Sequence, residues 1–105
     1  DKQKAEDYFR SALKVNSKFP PALYQMAKLN VMKKNYMSGR AYLQRYSEVA
    51  SSSAQTLWLS IQVEKELGDK NAVSSMALLL KNRYPDSDEV KKLNEMEKNE
   101  RSSGK

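Results

Sequence analysis

The most constraining feature of this sequence is a pattern that recurs after about 34 residues. In this register the apolar positions of neighbouring segments stay in phase, and the same register extends upstream almost to the start of the chain. The paired positions are Leu23 with Leu57, Asn35-Tyr36 with Asp69-Lys70, Gly39 with Val73, Leu43 with Ala77 and Ser51 with Pro85. A fixed period of this length indicates a chain built from helix–turn–helix units that stack on one another.

Within each period, apolar residues recur at the three- and four-residue steps of amphipathic helices. The sequence therefore predicts an all-α fold: a right-handed tetratricopeptide-repeat superhelix with about two and a half repeats and a C-terminal capping helix. The predicted segments are the second helix of a truncated repeat at 1–17, repeats at 18–51 and 52–86, the capping helix at 87–99 and a disordered tail at 100–105.

Residues with special backbone preferences mark the predicted helix ends. Pro20-Pro21 suits the first turn of a helix, because the N–H that proline lacks would be unpaired there. A serine from the run 51–53 can cap the fourth helix, and Gly68 can end it in a left-handed conformation. Pro85 stops the fifth helix, and the Ser87 hydroxyl can cap the sixth. These signals predict helices over about 2–16, 20–33, 36–49, 54–67 and 70–83, followed by a sixth.

The repeat pattern begins with helix 2–16, which matches the second helix of a repeat. Tyr8, Phe9 and Ala12 lie on the face that a preceding first helix would cover. We therefore expect the chain to be a fragment of a longer repeat protein. The alternative is a self-contained domain in which helix 2–16 leaves these side chains exposed or uses them in a dimer contact.

The composition argues against several classes of function. Histidine and cysteine are absent, so we expect no enzymatic activity, metal or other cofactor. The net charge of +6 comes from scattered basic residues, which does not favour nucleic-acid binding. No apolar run approaches the roughly 18–20 residues of a membrane-spanning helix. Asp86, Asp88 and Glu89 cluster at a helix start, where capping and the helix dipole explain them better than a cation does.

Other charged residues have a structural and a functional interpretation. Four basic residues lie near one turn: Lys33, Lys34, Arg40 and Arg45. They could form a patch for an acidic partner, but the favoured interpretation is a solvated convex face. Glu6 and Asp7 are expected on a solvent face of the first helix. Glu97 is placed for a weak i,i+4 ion pair with Arg101.

The residues that would face a partner protein lie on the first helix of each pair, because those helices line the concave wall of such a superhelix. With Leu23 and Leu57 buried, the next residues turn toward this groove, together with residues one and two turns on. The predicted groove residues are Tyr24, Lys28, Val31, Trp58, Gln62 and Lys65. Aromatic anchors with amphipathic rims suit an extended peptide. Trp58 could equally pack on the adjacent helix and belong only to the core.

A more specific resemblance rests on short blocks of residues that occur in order. The blocks are Phe19-Pro20-Pro21-Ala22-Leu23, Ala41-Tyr42-Leu43-Gln44-Arg45-Tyr46, Ser53-Ala54 followed by Leu57-Trp58-Leu59, Leu67-Gly68-Asp69, and Asn82-Arg83-Tyr84-Pro85-Asp86-Ser87. Over about residues 5–90 they resemble the PilF/PilW family, the tetratricopeptide pilotins of bacterial type IV pilus biogenesis. Asn30 and Glu64 depart from the generic repeat pattern, which usually has an aromatic residue at these positions.

The resemblance implies a non-enzymatic assembly factor that helps the pilus secretin reach the outer membrane and form its multimeric ring. It also implies a lipoprotein on the periplasmic face of that membrane, held only by a lipid anchor upstream of this sequence. The partner would be the secretin subunit. We expect Tyr24 or Trp58 to bind an apolar side chain of that subunit, while Lys28 and Lys65 attract its acidic residues.

Two other interpretations fit the sequence. The chain could be a tetratricopeptide adaptor for another protein assembly, or the regulatory helical half of an enzyme. An upstream signal sequence with a lipidation cysteine would favour the pilotin, whereas an upstream domain with catalytic motifs would favour the enzyme.

Overall fold

The computed structural model describes residues 1–103, which form six α-helices. They are α1 (Lys2–Val15), α2 (Pro20–Met32), α3 (Tyr36–Val49), α4 (Ala54–Leu67), α5 (Lys70–Arg83) and α6 (Asp88–Ser103). No strand occurs within these 103 residues. The predicted all-α class is confirmed, and the first five helices begin and end close to the predicted residues. The division into repeats stays a prediction.

Side chains and one glycine define the helix ends. The Ser53 hydroxyl accepts a hydrogen bond from the Thr56 N–H at 3.1 Å, and Thr56 Oγ1 accepts one from the Ser53 N–H at 2.8 Å. This reciprocal pair satisfies two backbone donors at the start of α4. Gly68 ends α4 with a φ of 81°, in the left-handed region. The Ser87 hydroxyl accepts from the Val90 N–H at 3.1 Å, so the three predicted caps are confirmed.

The helices form an elongated stack that measures 47 × 26 × 23 Å. The pairs α2–α3 and α4–α5 share the most extensive contacts, α1 packs on α2, and α3 packs on α4. The last helix, α6, contacts both α4 and α5, and α2 also touches α4. Each helix thus packs mainly on its neighbours in the chain, which is the arrangement of a solenoid.

The core is a row of three apolar clusters rather than one centre. Leu23 and Met26 anchor the cluster between α1, α2 and α3. Val63 belongs to the middle cluster, which joins α2, α3 and α4. Ile61 and Leu93 anchor the cluster between α4, α5 and α6. Because α4 contributes to two clusters, it couples the two halves of the stack.

Two glutamates are buried and paired with basic residues. Glu6 is 8% exposed and binds Lys33 and Arg10, the latter at 2.7 Å. Glu64 is 6% exposed and accepts two hydrogen bonds from Arg40, that from Nε at 2.9 Å. The expectation that Glu6 faces solvent is wrong, because α1 packs on α2 and brings Glu6 to Lys33. Lys33 and Arg40 therefore serve internal ion pairs rather than a free basic patch.

Gly39 lies where α3 approaches both α2 and α4. A methyl group at this position would lie 3.2 Å from Val31 Cγ2 and 3.6 Å from Val63 Cγ2. The first distance is tighter than an ordinary van der Waals contact. The small residue thus permits close packing of three helices and fixes the position of Val31.

Helix α6 is longer than predicted. It continues through Ser103, so the prediction of a disordered tail is wrong for residues 100–103. The remaining two tail residues lie outside the described part of the chain. Glu97 binds Lys81 of α5 at 2.8 Å instead of pairing with Arg101 as the spacing predicted. The helix thus continues past its apolar stripe of Val90, Leu93 and Met96, and ion pairs join this later part to α4 and α5.

Candidate functional site

A groove of about 610 Å³ lies between α2, α4 and α6. Four of the six predicted groove residues line it: Val31, Trp58, Gln62 and Lys65. The other lining residues come from the start of α3, the end of α4 and the middle of α6: Tyr36, Glu66, Lys92, Glu95, Met96, Asn99 and Glu100. The volume is in the range of small-ligand or side-chain pockets.

Trp58 belongs to both the core and the groove. Its ring is half-buried and packs against the cluster between α4, α5 and α6, to which Met96 also contributes. The same residue lines the groove. The two interpretations of Trp58 are therefore not exclusive: packing holds the ring, and its remaining surface is available to a ligand. This arrangement limits the entropy that the ring would lose on binding.

Tyr24 and Lys28 lie on α2, outside the lining of this groove. The Tyr24 ring meets the Tyr46 ring edge-on, with the centroids 6.5 Å apart, and the Lys28 ammonium lies 5.5 Å from the Tyr24 centroid. Burial raises the pKa of the Tyr24 phenol, and the negative charge of Glu89 in α6 raises it further. The structure thus separates the predicted residues into a groove set of four and a neighbouring Tyr24–Lys28 pair.

The charged groups of the groove are arranged across its width. Lys65 of α4 binds Glu100 of α6, with Nζ and Oε1 3.0 Å apart. Both side chains are about half exposed, so the ion pair contributes little to stability. It nevertheless joins the two walls. Lys65 was predicted to attract acidic residues of a partner, but it already has an acidic neighbour within the chain.

The contribution of α6 to the groove was not predicted. Its lining residues, from Lys92 to Glu100, fall in the predicted capping helix and at the start of the predicted tail. The spacing of Lys92, Glu95 and Asn99 offered a signal, since residues three and four apart share one helix face. That face borders the apolar stripe of α6, so docking the stripe on α4 and α5 brings it to the groove.

Three of the four basic residues of the α2–α3 region have partners within the chain: Lys33, Arg40 and Arg45. Beside the pairs of Lys33 and Arg40 described above, Arg45 donates to the Ser17 carbonyl at 2.9 Å and lies 5.4 Å from the Tyr42 ring centroid. The favoured interpretation, a solvated convex face, did not include these contacts within the chain. Among residues 1–103, no three acidic side chains are grouped closely enough to hold a metal ion.

The outer face of α1 carries exposed apolar side chains. Tyr8 is 70% exposed and Val15 is 91% exposed, and both border a shallow surface of about 490 Å³ with Phe19. Phe9 and Ala12 are half-buried against the cluster between α1, α2 and α3, and Ala12 also lines this surface. Of the three residues expected to need a cover, Tyr8 is thus the one left open. Use of this face in a dimer stays a prediction.

No helix in the described part of the chain is both long and apolar enough to span a bilayer.

Comparison with known proteins identifies relatives in one biological system. The chain is 30% identical over 83 residues to the type IV pilus assembly protein PilF of Pseudomonas aeruginosa. The match covers 79% of this chain, and the chain spans 33% of the length of PilF. No family model matches the chain.

Two solved structures share the fold. One, from a functional characterisation of P. aeruginosa PilF, superposes with a TM-score of 0.85 at 27% identity, covering 90% of this chain and 43% of that one. The other is PilW, described as a widely conserved type IV pilus biogenesis factor, with a TM-score of 0.77 at 26% identity. It covers 84% of this chain and 40% of PilW. The chain is therefore a homologue of PilF and has the tetratricopeptide-repeat fold of the type IV pilus proteins PilF and PilW.

Proposed function

We propose that this chain is part of a non-enzymatic assembly factor for type IV pili, a pilotin that binds the secretin subunit of the outer membrane. In this role it promotes the localisation of the secretin and its assembly into a ring. The groove between α2, α4 and α6 supports the proposal most strongly, because it offers a half-buried aromatic ring on a fixed scaffold in a homologue of PilF.

Binding would use the surface of the groove and no covalent step. Trp58 and Val31 offer apolar surface, and desolvating such surface is the main source of affinity in protein interfaces. Gln62 of α4 lies on the same surface and offers hydrogen bonds to a peptide backbone. The Tyr24–Lys28 pair would extend the contact along α2 toward the start of α6.

The location follows from the same proposal. The chain would act at the periplasmic face of the outer membrane, held by a lipid anchor outside the sequence described. Contact with the membrane would be limited to that anchor. Self-association through Tyr8 and Val15 of α1 would be a second protein contact, since both are exposed.

Binding to purified secretin subunit tests the proposal. We expect the double variant Tyr24→Ala and Trp58→Ala to lower affinity by at least about tenfold, because aromatic anchors dominate such interfaces. Trp58→Ala also removes core packing, so the milder variant Gln62→Ala is measured beside it and is expected to weaken binding without loss of helix content.

A matched control is Leu78→Ala, which truncates an apolar side chain that is 62% exposed on α5 and does not line the groove. It should leave secretin binding unchanged. If the double variant binds the secretin and supports ring formation as well as the parent chain does, the groove mechanism is wrong. Binding of a different envelope protein in place of the secretin would favour the adaptor alternative.

A further inference from the structure

The groove is acidic although the chain as a whole carries a net charge of +6. Its charged lining residues are three carboxylates and two ammonium groups: Glu66, Glu95, Glu100, Lys65 and Lys92. Lys65 and Glu100 neutralise each other through their 3.0 Å ion pair. This leaves two carboxylates in the lining, those of Glu66 and Glu95, and one ammonium group, that of Lys92. A ligand in this groove therefore meets excess negative charge.

The apolar part of the groove lies beside these carboxylates. Val31, Tyr36, Trp58 and Met96 contribute it, one from each of the four contributing helices. The methionine side chain is flexible and polarisable and makes favourable contacts with aromatic rings. Met96 and Trp58 together therefore suit bulky apolar side chains of different shapes. A volume of about 610 Å³ has room for such a side chain and a short stretch of backbone.

We propose that the groove binds an extended peptide segment that carries a bulky apolar residue next to a lysine or arginine. This inference rests on the proposed function and names the chemistry of the segment that the groove would take. The apolar side chain would lie between Trp58 and Met96, and the basic side chain would reach Glu66 or Glu95. It reverses the expectation of an acidic ligand, because Lys65 is already paired across the groove with Glu100.

The two carboxylates that would attract a basic side chain lie on different walls of the groove. Glu66 lies on α4 and Glu95 on α6, so the two walls each contribute one. No ion pair forms at either carboxylate among the described residues, whereas Glu97 is paired with Lys81. A basic residue on either side of the apolar anchor could therefore be accommodated. Charges at a rim of this kind affect partner choice and association rate more than total affinity.

Trp58 is the only tryptophan of the chain and lines the groove, so its fluorescence reports occupancy directly. The probes are two blocked hexapeptides with two central phenylalanines, one flanked by lysines and the other by glutamates. At about 0.05 M salt we expect the lysine peptide to shift Trp58 emission and to bind at least about fivefold more tightly. Raising the salt to about 0.5 M should remove most of this difference, since exposed charges are screened.

The variant Glu66→Gln with Glu95→Gln should abolish the preference while both peptides still change Trp58 emission. Glu48→Gln, an exposed residue of α3 outside the groove, makes the same type of charge change and should leave the preference intact. Equal binding of the two peptides, or tighter binding of the glutamate peptide, would overturn the inference and leave the groove as a peptide site. If neither peptide changes Trp58 emission, the proposed peptide groove fails as well.

Discussion

At the scale of single residues, a buried charge pair explains one of the two positions where this sequence departs from a generic repeat. Glu64 occupies a position where an aromatic residue is usual, and it is buried because Arg40 supplies two hydrogen bonds. Glu6 is buried in the same way by Lys33 and Arg10. The Arg40–Glu64 and Lys33–Glu6 pairs join residues 24 and 27 positions apart, so helix periodicity alone could not predict them.

The Arg40–Glu64 pair can be used to test how much stability is lost when a buried charge has no partner. Arg40→Ala should lower the melting temperature clearly, because Glu64 would keep its burial and lose its partner. The double variant Arg40→Met with Glu64→Leu should recover most of the loss, since no charge then remains buried. Thermal unfolding followed by circular dichroism measures both. Arg83→Ala, at an exposed position of α5, is the control, and an equal loss there would contradict the role of the pair.

Glu6 makes stability depend on pH. Hydrogen bonds from Lys33 and Arg10 lower the pKa of Glu6 below its ordinary value. A lowered folded-state pKa contributes stability that is present above the unfolded pKa, about 4.3, and is lost as pH falls through the folded one. The variant Glu6→Gln should therefore lose less stability than the parent chain in this acidic range. Urea denaturation at several pH values would show it, and parallel curves for the two proteins would rule the contribution out.

At the scale of the helix, local chemistry made the ends predictable and tertiary contacts made α6 longer than expected. Helix caps depend on contacts with residues only a few positions away in the chain. The caps at Ser53, Gly68 and Ser87 could therefore be predicted from the sequence alone. The end of α6 is different, because Glu97 and Glu100 bind Lys81 and Lys65 on other helices.

Two left-handed residues at turns should respond in opposite directions. Gly68→Ala should cost about 1 kcal/mol, because the methyl group disfavours a positive φ. Lys34 has a φ of 64° in the α2–α3 turn, so Lys34→Gly should stabilise by about 0.5 kcal/mol. Chemical denaturation measures both free energies of unfolding. A loss of stability in Lys34→Gly would show that its side chain has a role that its backbone does not explain.

Docking of α6 should depend on one buried side chain. Leu93 is fully buried between α4, α5 and α6, so Leu93→Ala should cost about 2–5 kcal/mol. Because α6 forms one wall of the groove, the variant should also weaken ligand binding at Trp58. Leu78→Ala, at an exposed position, should change stability by less than about 0.5 kcal/mol. A stable Leu93→Ala variant with unchanged binding would mean that α6 does not define the groove.

At the scale of the whole molecule, the repeat period was enough to predict the stack of helices. It also predicted the concave side, because the first helices of each pair follow each other at a constant interval. The third wall was not predicted, because the charged sequence of α6 indicated only a capping helix. For the same reason the sequence suggested a basic groove from Lys28 and Lys65, whereas α6 adds Glu95 and Glu100 to it.

The most direct test of the account is site-specific photocrosslinking from position 62, in the middle of the groove surface of α4. A photoreactive residue is introduced as Gln62→p-benzoylphenylalanine in cells that assemble type IV pili, with Leu78→p-benzoylphenylalanine on α5 as the matched exposed control. Binding of the secretin in the groove predicts a crosslink to the secretin subunit from position 62 and none from position 78. A secretin crosslink from position 78 alone would contradict it.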